Sequence, residues 1–467
     1  MARLTGFCRT ALALTLAALT AGCAAVGPNY ARPQLPSPPQ YRFAADPVQA
    51  QTLADAPWFQ VFDDPALQAL IRNAIANNLD LRMAVARVEE MRARAGIPKS
   101  YLYPQVDAKL GYGVRGASTT EESNDTTHQN GGGGFQLSWE LDLFGRIRRQ
   151  TEAAVAVALA SEEGRRGVLV TLVGDVATSY FLLRQLDLEL AIARRTLGLN
   201  DDTVKYFQDR LDGGVSNRLE LDRIQANRAL TAAAIPEIES QMAVVENAIS
   251  LLLGRPPGPI AREPLGIDET MPPAIPPGLP ASLIERRPDV QESEQLLVAA
   301  NANIGAAKAL FFPTISLTGF LGGISGDLTT FLGGDGAVWS AGAGLLQPVF
   351  QGGRLRRNLE AVRAQFDGAV AAYQRAALNG YREVANSLVT IQKLADVRTQ
   401  RQVGVVALRD ASDLARSRYD SGLANYIEIL TADQELFQQE LLLAQAHGAE
   451  LRARAELYRA LGGGWQP

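Results

Sequence analysis

Histidine and cysteine are almost missing from this 467-residue chain: His128 and His447, Cys8 and Cys23 are all there is. Beyond the first two dozen residues, no Cys/His metal cluster, Cys–His nucleophile pair or disulfide framework can form. Carboxylate-only metal sites and Ser/Lys chemistry stay open, but nothing concentrates such residues, so the composition argues against an enzyme. Charge of one sign is also lacking. Lys and Arg number 45 against 50 Asp and Glu, for a net charge of −5, which excludes the basic profile of a nucleic-acid binder. What the chain does have is 47% apolar residues and an abundance of Ala, Leu, Gln, Arg and Glu, the composition of long helices.

The amino terminus reads as an export signal. Arg3 and Arg9 flank the apolar run Ala11 to Leu19, too short to span a bilayer as a stable helix. The run ends in LTAGC, residues 19–23, which resembles the bacterial lipoprotein box even though Thr20 stands where Leu is usual. This motif implies cleavage after Gly22 and a covalent lipid on Cys23; the alternative is an ordinary secretory signal with a chance cysteine. Ala24 after the Cys favours the outer over the inner membrane. Losing Arg3 and Arg9 with the signal takes the net charge from −5 to about −7. The Pro-rich segment that follows, Ala24 to Arg42, reads as an extended tether.

The chain repeats itself. AGIPKSYLYPQV (95–106) matches IGAAKALFFPTI (304–315), FGRIRR (144–149) matches FQGGRLRR (350–357), and RLDGGVSNRLELD (210–222) matches RYDSGLANYIEIL (418–430). NLDL (78–81) likewise matches RPDV (287–290), and the shift stays close to 208 residues throughout. Chance does not hold one offset over four blocks. The expected organisation is a signal peptide (1–22), a lipidated tether (23–63), a first repeat (64–253), a Pro-rich linker (254–280), a second repeat (281–461) and a tail (462–467). Each repeat reads as helix, β-hairpin, very long helix, sharp turn, helix, with helices over 64–97, 146–211 and 216–252, then 281–309, 354–419 and 424–460. Leu169, Leu172, Val176, Tyr180, Leu183, Leu186 and Leu190 recur at the steps of three and four that mark a coiled-coil seam. A helix over 146–211 is about 100 Å long at 1.5 Å per residue.

Strands are few, and they alternate. Phe135, Leu137, Trp139, Leu141 and Leu143 face one way, with Gln136, Ser138, Glu140 and Asp142 opposite. Val106 to Val114 alternates with Gln105 to Gly113, and Ile315 and Leu317 with Thr314, Ser316 and Thr318. The fourth run, Trp339 to Phe350, is Gly-rich and its facing is ambiguous. Runs of roughly 10–12 residues are long enough to cross a bilayer as tilted strands. The polar, Gly-rich segments 115–134, which holds His128, and 322–336 read as the connecting loops. Four strands cannot close a barrel, and an open edge in lipid leaves backbone groups unpaired at several kcal/mol each, so closure needs several chains. The expectation is a mixed, mainly α protomer contributing four transmembrane strands and long coiled-coil helices.

The lipobox followed by VGPNY, the twin halves, ERRPDV (285–290) and RYDSGLANYIEIL together resemble the TolC-like outer membrane factors, in their NodT/OprM lipoprotein branch. The resemblance covers nearly the whole mature chain. It implies a homotrimer: a 12-stranded β-barrel in the outer membrane continued by a helical barrel in the periplasm. It implies the exit duct of a tripartite pump, joined through a periplasmic adaptor to an inner-membrane transporter, commonly of the resistance-nodulation-division (RND) type. No cofactor, catalysis or nucleic acid is implied. Adaptor docking is implied around Arg210, Gly214, Asn217, Arg418, Gly422 and Asn425. The relatives' pore constriction, a Leu and an Asp one turn apart, falls here on Ile427 and Thr431, with Glu428 and Asp433 nearby. The alternatives are the exit duct of a type I protein-secretion system and a lipid-anchored periplasmic coiled-coil scaffold.

Overall fold

The computed structural model describes residues 25–35, 37–44, 64–117, 126–262, 280–325 and 336–463. In chain order, helices α1 (Pro65–Asn77) and α2 (Leu79–Ser100) lead to strands β1 (Gln105–Ala117) and β2 (Thr126–Leu141). Helices α3 (Arg146–Asp212) and α4 (Arg218–Leu252) complete the first repeat. The second runs through α5 (Pro280–Arg286), α6 (Pro288–Ala309), β3 (Thr314–Ser325), β4 (Ala337–Leu346), α7 (Arg354–Asp420) and α8 (Tyr426–Ala460). The duplication is one of lengths as well as letters: α3 and α7 have 67 residues each, α4 and α8 35, and α2 and α6 22.

Where one long first helix is expected in each half, the structure has two, and the break falls on the matched motifs. Asn78 leaves the helical region at ψ 132°, and its side chain takes over as a cap. Its Oδ1 accepts from the Leu81 amide at 2.8 Å, and its Nδ2 donates to the Leu252 carbonyl at 3.0 Å. In the second half Pro288 forces the break, because the residue before a proline avoids the helical region. Arg287 sits there almost wholly buried, donating to both carboxylate oxygens of Asp289 and to the Ala460 carbonyl and pairing with Glu383. The ERRPDV motif is therefore a helix junction built around a buried, fully engaged arginine.

The chain divides into two compact units. One comprises Met1–Gln34, Arg87–Glu162 and Glu292–Gln374, the other Leu35–Ala86, Glu163–Gln291 and Arg375–Pro467. The first holds the sheet, an antiparallel meander in the order β1-β2-β3-β4. Its register resolves the facing of every strand, since directly opposed residues share a face. Val106, Leu137, Gly319 and Ala341 form one row, and Ala108, Phe135, Leu321 and Trp339 the next. The other face carries Gln105, Ser138, Thr318 and Gly342, then Asp107, Gln136, Phe320 and Ser340. β4 therefore points Trp339, Ala341, Ala343 and Leu345 with the apolar set, and it ends at Leu346, short of Pro348 and Phe350.

The first two strands reach further than expected. β2 begins at Thr126, so the glycine run 131–134 and His128, expected in a loop, lie within a paired strand, with His128 opposite Arg115. β3 likewise takes Gly322 to Ser325 out of the expected second loop. Glycine runs suit loops by composition, but nothing prevents their pairing where neighbouring strands supply the ladder.

At the base of the sheet, Phe144 stacks on Phe312 at 4.8 Å. β2 ends at Leu141, so Asp142 and Leu143, expected to continue its alternation, lie beyond it. Asp142 instead caps α3 by accepting from the Ile147 and Arg148 amides, each at 2.9 Å. The tether docks here too. The Val26 amide donates to the Phe144 carbonyl, Arg149 donates to Asn29 Oδ1, and Arg32 grips both oxygens of the buried Glu294 at 2.7 Å.

The second unit holds the main core, in which Leu172, Val176, Tyr180, Leu183, Leu186 and Leu190 are buried and Leu169 packs against them. α3 includes one stretch long and apolar enough to cross a membrane, but 56% of it is buried inside the protein, as befits a core helix. The start of the linker is part of this core: Ile260 is buried, and Arg262 pairs with Asp187 and Glu246 at 2.5 and 2.6 Å.

Candidate functional site

The two turns that the repeat pairs, after α3 and after α7, are built alike. In the first, the Val215 amide donates to the Arg210 carbonyl at 2.9 Å and the Gly214 amide to Leu211. In the second, the Leu423 amide donates to the Arg418 carbonyl at 2.8 Å and the Gly422 amide to Tyr419. This six-to-one closure needs a left-handed residue just past the helix, and Gly214 and Gly422 both adopt φ +71°. Asn217 then caps α4, accepting from the Glu220 amide at 3.0 Å, and Asn425 caps α8, accepting from the Ile427 amide at 2.9 Å.

The two turns also meet each other. Phe207, Leu221 and Ile224 are buried together, with Tyr419 and Tyr426 packed on them. The Phe207 and Tyr426 rings lie 4.3 Å apart, and those of Tyr419 and Tyr426 5.5 Å. Arg210 closes the cluster. Its guanidinium donates to the Tyr206 and Tyr419 hydroxyls, each at 3.1 Å, and sits over the Tyr206 and Phe207 rings. The bond to Tyr206 holds the Arg210 pKa up, and burial pushes the Tyr419 and Tyr426 phenols up, so all three keep their protons.

Arg418 is placed differently. It is half exposed, and among the described residues it reaches the Leu423 carbonyl at 3.5 Å and Glu428 at 3.7 Å. On the two turns and the helices that follow them, Val215, Leu219, Leu423 and Ile427 expose apolar side chains. Six positions expected at this site are thus brought to one end of the second unit, but the two arginines are not equivalent there.

Ile427 and Thr431, one turn apart on α8, are both exposed. Asp433 is turned toward α7, accepting from Ser412 and from Arg416 at 2.7 Å, while Glu428 faces Arg418. Both carboxylates are thus engaged by arginines of α7. Among the described residues no group of His, Cys, Asp and Glu is placed to hold a metal ion. Cys23 lies outside the described residues.

The aromatic cluster is what motif reasoning missed. The repeat itself carried the signal, in its mismatches: Phe207 stands where the second half has Ala415, Tyr419 where the first has Leu211, and Tyr426 where the first has Arg218. Matching positions marked the shared turns, and mismatched ones the contact between them.

Comparison with known proteins agrees with this architecture. The family model for outer membrane efflux proteins matches twice, over residues 70–255 and 279–463. The chain is 34% identical over 466 residues to the cation efflux system protein CusC of Escherichia coli O6:H1, covering 99% of both chains. It is also 34% identical over 470 residues to the probable efflux pump outer membrane protein TtgC of Pseudomonas putida KT2440, covering 98% of this chain and 96% of the relative. Among solved structures, the outer-membrane channel OprN superposes with a TM-score of 0.86 at 30% identity, over 95% of this chain and 100% of the other.

Proposed function

This chain belongs to the outer membrane efflux protein family, and from that we infer that it is the outer-membrane exit duct of a tripartite efflux pump. The observation that carries the reading is the sheet. Among the described residues, four strands with one mainly apolar face and one mainly polar face end at β1 and β4 with unpaired edges. In a bilayer those edges must be paired, and pairing them with further copies closes a barrel whose apolar face meets lipid and whose polar face meets water. Three copies give twelve strands, enough for an open lumen, whereas two give eight, which side chains nearly fill. Native mass spectrometry of the detergent-extracted protein should report three chains; a monomer or dimer as the only species contradicts the barrel.

The paired turns are the docking surface for a periplasmic adaptor, through which the duct meets an inner-membrane transporter of the RND type. Their exposed Val215 and Leu423 and the open Arg418 offer an apolar and cationic surface, while Arg210 holds the two turns together. Exposed Ile427 and Thr431 line the constriction of the resting pore, an apolar ring without an acidic one. The duct transfers no group and holds no cofactor. A lipid on Cys23 anchors the mature chain, close in sequence to Val26, which is held at the base of the sheet. Cys23→Ser should be exported but take up no labelled palmitate; equal labelling of mutant and wild type rules the anchor out.

A further inference from the structure

The register leaves one side chain without a role. Phe320 pairs with Gln136 on one side and Ser340 on the other, so it lies on the polar face of the sheet. Among the described residues it is the one Phe, Tyr or Trp at a position on that face, where most neighbours are Gln, Asp, Lys, Ser, Thr or Gly. The ring does not stand off the sheet. A Cβ built at Gly134 would come within 2.9 Å of Phe320 Cζ, and one at Gly322 within 2.8 Å. Gly134 and Gly322 oppose each other across β2 and β3, so the tip of the ring reaches over a side-chain-free bed. The side chain is half-buried there, so part of the ring stays accessible.

Covering two strand glycines accounts for a large apolar side chain here. It does not account for the ring itself, on a face whose other described apolar side chains, Val338 and Leu346, are aliphatic. A half-exposed ring held over the sheet offers aromatic surface to the space on this side, and aromatic rings pair in offset or edge-on arrangements. We propose that Phe320 is a cargo-contact site on the duct wall that takes flat aromatic solutes by stacking. This rests on the reading that the polar face lines the lumen, where three copies would place three such rings around the bore.

The test has two arms, both on the full-length protein. In the first, Phe320→Cys and Leu321→Cys trimers in lipid vesicles meet a charged, membrane-impermeant thiol reagent. Phe320→Cys should react and Leu321→Cys should not; the reverse would overturn the lumen reading and the site with it. In the second, saturation-transfer NMR measures 2-naphthalenesulfonate and cyclohexanesulfonate on trimers in nanodiscs. The naphthyl signal should fall at least about five-fold in Phe320→Ala and Phe320→Leu, corresponding to a loss of about 1 kcal/mol, and survive in Phe320→Trp. The cyclohexyl signal should not depend on residue 320. Phe320→Leu keeps an apolar cover over the glycines, so a naphthyl signal retained there means the ring only covers the sheet and the proposal fails.

Discussion

Arg210 and Arg418 hold the same place in the two repeats but have different partners, and the difference was invisible to sequence matching. Each lies four residues before its glycine, yet the aromatic neighbours that engage Arg210 come from both halves of the chain. The glycines were legible because only glycine takes φ +71° at little cost. An ideal Cβ at Gly214 or Gly422 meets nothing within 4 Å, so a substitution is limited by backbone strain and not by crowding. Forcing a side chain into the left-handed region costs about 1–2 kcal/mol. Gly214→Val and Gly422→Val should therefore lower stability by about that amount, leave trimer yield near normal and impair efflux in cells carrying the whole pump. Loss of trimer would make the turns structural only.

At the scale of elements, apolar periodicity located the long helices to within a few residues, because a seam at steps of three and four has one physical solution. The breaks at Asn78 and Arg287 were not legible as breaks, since a capping asparagine and a buried arginine find their partners on distant helices. The glycine run was misplaced for a related reason: composition gives local preference, while pairing with β1 and β3 is supplied by residues far away in sequence. Buried polar groups inside the seam were equally hidden. Glu189 on α3 is buried, accepting from Gln185 at 2.6 Å and Gln445 at 3.3 Å, and burial raises its pKa despite those bonds and Arg452. A carboxyl raised on folding favours the protonated form. Its stabilising contribution is whole below its usual 4.5 and is lost as pH rises through the raised value. Glu189→Gln should raise the melting temperature of the trimer at about pH 7.5 and change it little at about pH 4. A larger gain at the acidic end would contradict the burial argument.

For the whole molecule, the duplicated chain makes sense as part of a larger closed object. Each repeat contributes one hairpin and one long helix pair, and β1 and β4 leave edges that a single chain cannot satisfy. The sheet's two faces were readable from alternation alone in three strands; the fourth, rich in Gly and Ala, needed the register. The central claim is that the assembled protein is a water-filled duct held shut at its helical end by an apolar ring containing Ile427. Single-channel recording of purified trimers in a planar bilayer tests it most directly. The account predicts discrete current steps from the wild type and larger ones from Ile427→Ser, because a polar ring wets where an apolar one excludes water. Trimers shown to be inserted in the bilayer that pass no current, in either form, would contradict it.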